Sequence, residues 1–355
     1  MKNKGTKRLR LFDITRDGKG IGKKDADIGN GIKGFFVSYK NHFNKILTTN
    51  IIMVLGNFPA IFIIAALSGY SKIESFLPIH DLFQNLTAFF ANEPPSPHTM
   101  ALYAITGIHA PVLVPSVWTY VLYGVGALFL FTFGCVNVGT AYILRNLAKG
   151  EPVFVWSDFW YAVKRNWKQA LPFGIIDAGI IVILIVNINT LLSLTGGGFF
   201  YGLLLWANII IFALFFFMRY YAYVQMVTFK LSIWKIIKNS CIFALLGFKR
   251  NIVALLGILL AVVLEVGFIF AFNGILISFG VALPLLLLFS SLAYMKVYAA
   301  YFKIKEIMID PYLAEHPEEC ADDSDVEVVM TDDVTERQRL DEIKRKNGIV
   351  DDDDE

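Results

Sequence analysis

Twenty-one consecutive residues from Ile252 to Phe272 carry a single ionisable side chain, Glu265. Comparable apolar runs lie at about Ile46–Leu67, Val117–Leu144, Leu171–Leu194, Phe199–Val227 and Ile275–Tyr301. About 20 apolar residues in a helix cover the hydrocarbon core of a bilayer. Lipid offers no partner for backbone N–H and C=O groups, so such runs must satisfy them internally as helices. The pattern predicts an all-α polytopic membrane bundle of about six transmembrane helices. Composition agrees, since 17% of residues are charged where a soluble domain carries about 25%. Asn57 and Pro59 fall inside the first run, which predicts a kink there. That run lacks a small-x-small cleavage pattern close behind it and is expected to remain as a span.

Charge sets the expected topology. Of 32 Lys and Arg residues, only Lys72 falls in a segment assigned to the outer side, and basic residues favour the cytoplasmic side. Six spans with both termini cytoplasmic follow. The formal net charge of +2 hides a split: residues 310–355 hold 18 acidic and 5 basic residues, a net of −13, which leaves about +15 on the rest. The expected organisation is a basic, disordered segment over 1–30, a six-span domain over 31–305 with an outer loop at 70–115, and an acidic, mostly disordered cytoplasmic tail over 306–355. Within the tail, Val334–Lys346 can form a short helix. Pro78, Pro94, Pro95, Pro97, Pro111 and Pro115 forbid a long continuous helix in the outer loop. Between them, Ile79, Leu82, Phe83, Leu86, Phe89 and Phe90 recur at helical spacing and predict an interfacial helix.

The connection between the second and third spans reads as a cytoplasmic elbow. Arg145 and Lys149 close the second span, and Gly150 and Pro152 break the helix. Ser157 and Asp158 are N-cap candidates for the next one. In that helix Phe159, Trp160, Ala162, Val163 and Trp167 can line one side, and Lys164, Arg165 and Lys168 the other. The arrangement suits a helix in the headgroup layer, with Trp156 at its start and Leu171-Pro172 opening the next span. A second elbow over Thr228–Asn251 sets Trp234, Ile236, Ile237, Ile242 and Phe243 against Lys230, Lys235 and Lys238. These basic, aromatic segments are adjacent to the bilayer, so they meet lipid headgroups rather than nucleic acid. Lys164-Arg165-Asn166 recurs as Lys249-Arg250-Asn251, with Lys40-Asn41 a fainter copy. Two readings stay open: three repeated elbow-and-hairpin units, or basic aromatic elbows of the kind found in many membrane proteins.

Gly139-Thr140-Ala141, Tyr142-Ile143-Leu144-Arg145-Asn146, Trp156-Ser157-Asp158-Phe159 and Lys164-Arg165-Asn166-Trp167-Lys168-Gln169 together resemble the signature region of the YesL-like family, bacterial integral membrane proteins built on a domain of unknown function. The weaker resemblance runs from Gly31 to Pro59 and through the later spans. Members are often encoded beside carbohydrate uptake transporters and two-component sensors. The resemblance therefore implies a bacterial plasma-membrane protein linked to sugar import, with a carbohydrate ABC transporter or a sensor as partner. It implies no catalytic residue. The long outer loop and the acidic tail depart from the family pattern.

Ionisable groups inside spans are the candidate functional residues, because their burial in lipid is costly. Asp177 lies about 9 Å from the inner end of the third span, and Arg219 about 12 Å from that of the fourth, at 1.5 Å per residue. Antiparallel neighbours at matching depth can pair, so an Asp177–Arg219 contact is predicted. Lys296 can join them or reach for the interface. Glu265, about 20 Å deep, has no cation at its level, while Asn57, Asn187 and Asn189 lie at comparable depth. Desolvation disfavours its charge, so it is expected to be a hydrogen-bonded neutral acid or to face a wet cavity. His80, His98 and His109 share the outer loop with Glu74, Asp81 and Glu93, but their spacing matches no metal-ligand pattern. Gly29–Gly34 fits GxGxxG without a preceding strand. No nucleophile–base pair, metal cluster or cofactor motif can be named. A non-enzymatic accessory or regulatory component of carbohydrate uptake is the first functional expectation. A small-solute transporter using Glu265 is the alternative.

Overall fold

The computed structural model describes Gly29 and residues 31–78, 96–106, 109–194, 198–270 and 276–315. Helix α1 (Ile32–Asn41) leads into α2 (Phe43–Gly56), and α3 (Ala60–Leu67) follows. Strand β1 (Lys72–Pro78) pairs antiparallel with β2 (His109–Pro115), with α4 (Pro97–Thr106) between them. Next come α5 (Val117–Gly126), α6 (Phe129–Lys149), α7 (Val155–Leu194), α8 (Phe199–Thr228), α9 (Ile233–Leu246) and α10 (Phe248–Phe270). The described chain ends with α11 (Ile277–Leu283), a π-helical turn over Pro284–Leu288, α12 (Phe289–Ile304), a second π turn over Lys305–Ile309, and α13 (Asp310–Glu315).

Among the described residues, five helices are long and apolar enough to cross a membrane: 117–149 (α5 with α6), 155–194, 199–228, 248–270 and 277–312. The pair α2–α3, bent by 59° at Asn57–Pro59, makes a sixth when the two helices are counted as one span. The chain is thus an all-α, multi-pass helical bundle, with the kink where an asparagine and a proline interrupt the first span.

The buried core sits at the elbow end. Ile143, Leu144, Leu147, Tyr220, Tyr221, Val224, Ala300 and Ile304 are at most 2% exposed. Toward the opposite, loop-bearing end the same helices turn Val182, Ile183, Phe200, Trp206, Ile210 and Leu256 outward, as helices solvated by lipid do. The α6–α7 hairpin holds this core. Gly150 closes α6 in the left-handed conformation at φ 80°, and Glu151 N donates to Asn146 O at 3.0 Å, the αL stop that glycine favours. Farther up, Gly134 faces Gly174. A Cβ added at Gly134 would lie 2.0 Å from the Ala170 carbonyl oxygen and 2.8 Å from Gly174 Cα. Close backbone approach at small residues is the usual route to tight helix packing in lipid, where tails are as apolar as the helices.

Several expectations are corrected. The first elbow is not a separate helix lying flat: α7 runs unbroken through Pro172, because both its halves pack along α6. Gly139 receives Phe159 and Val163, and Gly134 receives Ala170 and Gly174. Neither Ser157 nor Asp158 is its N-cap. The helix starts at Val155, and Phe154 N donates back to Asp158 Oδ2 at 2.8 Å. The second span runs to Lys149 rather than Leu144, with a break at Ala127–Leu128. The boundary at 305/306 moves, since helical structure continues through Glu315, with Ile307, Met308 and Ile309 packed against the core. The outer loop holds a β pair that the proline count did not foretell. Beyond it, Ser116 caps α5 in a capping box with Thr119. The segment 1–28, the 79–90 helix, the Gly196-Gly197 part of the third-to-fourth turn, the Asn273-Gly274 turn and the tail beyond 315 lie outside the described residues.

Candidate functional site

The structure brings Asp177 and Arg219 together. Asp177, on α7, is 1% exposed. Arg219 on α8 grips it as a fork, with Nε to Oδ1 at 2.6 Å and Nη2 to Oδ2 at 3.0 Å. Tyr223, one turn further along α8, donates its hydroxyl to Oδ2 at 2.6 Å. The guanidinium lies 5.6 Å from the Phe133 ring centroid on α6. Three donors on one carboxylate, two from a planar fork, is the strong form of a charge-assisted contact. The Asp177 side chain is 0% exposed, so the carboxylate is sealed from solvent. Lys296 does not complete the cluster. It makes no ion pair among the described residues, and its ammonium stands 6.0 Å from the Phe216 ring centroid, within electrostatic range of Arg219 and Asp177. Chemically this is a clamp between α7 and α8.

Glu265 differs in kind. It is 7% exposed, and neither carboxyl oxygen has a hydrogen-bond partner among the described residues. Its height follows from helix pairing. Gly257 faces Met295, and Ile269 faces Gly280, so interpolation along antiparallel α10 and α11–α12 sets Glu265 level with Pro284–Leu288. That segment is π-helical, a widening that Pro284 promotes by lacking an N–H. Asn50 on α2 satisfies it: its Nδ2 donates to Pro284 O and Leu285 O, each at 2.9 Å, and Ser290 N donates to Asn50 Oδ1 at 2.8 Å. Asn187 and Asn189 do not join Glu265, being exposed on α7. Asn57 sits at the α2–α3 bend, with Nδ2 on Met53 O at 3.0 Å and its Oδ1 without a hydrogen-bond partner among the described residues.

The elbow residues separate into two faces, but not the expected ones. Phe159, Ala162 and Ala170 are buried against α6, with Val163 half-buried. Trp156, Trp160 and Trp167 are 63%, 44% and 51% exposed, and Lys164, Arg165 and Lys168 are exposed with them. At 100° per residue, Trp156, Trp160, Lys164 and Trp167 fall within about 80° of one another, so they form one outward stripe. In the second elbow Ile236 and Phe243 turn inward, while Trp234 (78% exposed) and Ile242 turn outward.

Two residues escaped the sequence reading. Arg145 looked like a charge flanking a span, yet it is 2% exposed. Its Nη1 donates to Val227 O at 2.7 Å, Nε and Nη2 donate to Asn146 Oδ1, and its guanidinium lies 4.8 Å from the Tyr142 ring centroid. A cation on the last carbonyls of α8 favours that helix end. The neighbouring Tyr142 and Asn146 were the available signal. Asn50 gave none, because its partners lie more than 230 residues away. No group of three metal-ligating side chains occurs among the described residues, and His80 lies outside them. Gly34, in the GxGxxG string, serves packing: a Cβ there would strike Gly29 O and Tyr298 Oη.

Comparison with curated proteins finds no match, and comparison with solved structures finds none either. One family model does match: residues 116–188, less than a quarter of the chain, are similar to the family described as protein of unknown function, DUF624. That stretch covers α5, α6, the Trp stripe, Gly134 with Gly174, and Asp177. It stops short of Arg219 and Glu265.

Proposed function

We propose that this protein is a non-enzymatic, bacterial plasma-membrane component of a carbohydrate uptake system, of the YesL-like kind, that docks a transporter or sensor subunit through its elbow end. Both termini and the elbows lie on the cytoplasmic side in this reading, as the basic residues favour. The observation that carries it is the tryptophan stripe. The 40 residues of α7 span about 60 Å, twice the hydrocarbon core. From Trp156 to Trp167 is about 16 Å, and about 12 Å across the membrane even at a 40° tilt. The headgroup layer is only about 5–7 Å deep on each side. The stripe therefore outreaches the interface, and exposed aromatic patches beyond it mark protein contacts. The direction toward sugar uptake comes from the family resemblance. Full-length protein purified from its native membrane is expected to carry a transporter or sensor subunit along. Trp160→Ala with Trp167→Ala should reduce that recovery at least tenfold at unchanged membrane levels. Equal recovery from wild type and variant contradicts the proposal.

A second reading, a solute transporter, is favoured by the carboxyl of Glu265, which has no hydrogen-bond partner among the described residues and lies level with a π-helical turn. It expects Glu265→Gln to abolish uptake while leaving expression intact. Unchanged uptake removes it.

A further inference from the structure

A cleft of about 330 Å³ opens between α1, α10 and α12 at the elbow end. Its walls and floor are apolar: Phe35 and Phe36 from α1, Val253 and Gly257 from α10, Met295 and Ala299 from α12. Ile32, Phe36 and Val253 at its mouth are 50–64% exposed, so it opens sideways, toward the layer that solvates the spans. One end is different. Lys249 and Arg250, in the first turn of α10, stand there. Lys249 is exposed and makes no ion pair among the described residues. Arg250 reaches Glu306 at 3.3 Å, leaving its side chain 29% exposed.

From Lys249 to Gly257 the cleft follows α10 for about 12 Å, from two cations into the span. We infer that the cleft binds an anionic phospholipid of the leaflet on the elbow side, its phosphate between Lys249 and Arg250 and one acyl chain along Val253, Gly257 and Met295. Three features select this occupant. The volume lies within the range of small-molecule sites. The lining is what an acyl chain requires and what a sugar or free phosphate does not. The cations sit at the headgroup end, where basic side chains attract anionic lipid. Tyr298 braces α1 across the cleft, its hydroxyl donating to Gly29 O at 2.7 Å while its ring meets Phe35 edge-on. A bound chain would fill the space that α1 spans.

Purified full-length protein is to be exchanged into vesicles of phosphatidylglycerol and phosphatidylcholine with identical acyl chains, and the retained lipid read by native mass spectrometry. Phosphatidylglycerol should be retained preferentially. Lys249→Gln should lower the preference about fivefold, and Lys249→Gln with Arg250→Gln about thirtyfold, as expected for basic side chains at a charged lipid surface. Val253→Trp, which fills the cleft, should reduce retention of both lipids while the protein stays monodisperse. Three outcomes would overturn the inference: no preference in the wild type, an unchanged preference in the double variant, or crosslinks placing the acidic residues 316–355 against Lys249 while lipid stays excluded. None depends on the uptake partner.

Discussion

Asp177→Ala is expected to destabilise the protein by about 3–5 kcal/mol, the cost of leaving one member of a buried ion pair without its partner. Removing the carboxylate strands the Arg219 guanidinium, whose side chain is 16% exposed, and takes the acceptor from the Tyr223 hydroxyl. It also removes a negative charge that acts on both Arg219 and Lys296. An ordinary interhelical hydrogen bond in a membrane is worth only about 0.6 kcal/mol, so the size of the loss decides between a charged clamp and a minor contact. Asp177→Leu with Arg219→Leu should cost much less than either single change, because paired apolar replacement removes the desolvation penalty along with the attraction. Unfolding of detergent-solubilised protein, arranged as a double-mutant cycle, reads the coupling. Single losses near 0.6 kcal/mol, or additivity in the cycle, would contradict the clamp.

Gly134→Leu is expected to break the α6–α7 hairpin. The new Cβ meets backbone on the facing helix, the Ala170 carbonyl oxygen and Gly174 Cα, and backbone cannot rotate aside as a side chain would. Overpacking usually costs about 1–3 kcal/mol; here the two helices must separate along their crossing, so the loss should reach or exceed that upper figure. Helix propensity works the other way, favouring Leu over Gly by up to about 1 kcal/mol. Gly179→Leu separates the two effects. Gly179 is on the facing helix, α7, but a Cβ there meets nothing within 4 Å. It should leave the midpoint unchanged or slightly raised, while Gly134→Leu loses the monodisperse, cooperatively unfolding species. Equal behaviour of the two variants would show that the crossing is not tight.

The Asp177–Arg219 contact was legible because counting residues from the same membrane face gives both groups a similar depth, and helical rise is constant. The kink at Asn57–Pro59 was legible because it is local chemistry. Trp160 and Trp167 were assigned to the wrong side because hydrophobicity alone cannot tell which partner claims a face. Here the partner is α6, and Gly139 admits the Phe159 ring, which turns Trp160 and Trp167 away. Nothing in Lys72–Pro78 or His109–Pro115 distinguished strand from proline-rich loop, since strand pairing joins residues 31 to 43 positions apart. The role of Asn50 at Pro284–Leu288 is likewise a matter of tertiary contact. Past α12 a signal was present: Ile307, Met308 and Ile309 on the second π turn continue an apolar pattern that the charges of Lys303, Lys305 and Glu306 obscured. Glu265 was legible as a solitary deep carboxyl, but its lack of a hydrogen-bond partner among the described residues could come only from the structure.

The most direct test of the docking reading is a photoreactive amino acid at position 160 of the full-length chain, activated in intact cells. Position 256, on the lipid-facing side of α10, serves as the control. A transporter or sensor subunit joined to position 160, with lipid alone joined to position 256, is the predicted result. Lipid alone at both positions would contradict it, because it would place the tryptophan stripe within the bilayer rather than against a protein partner.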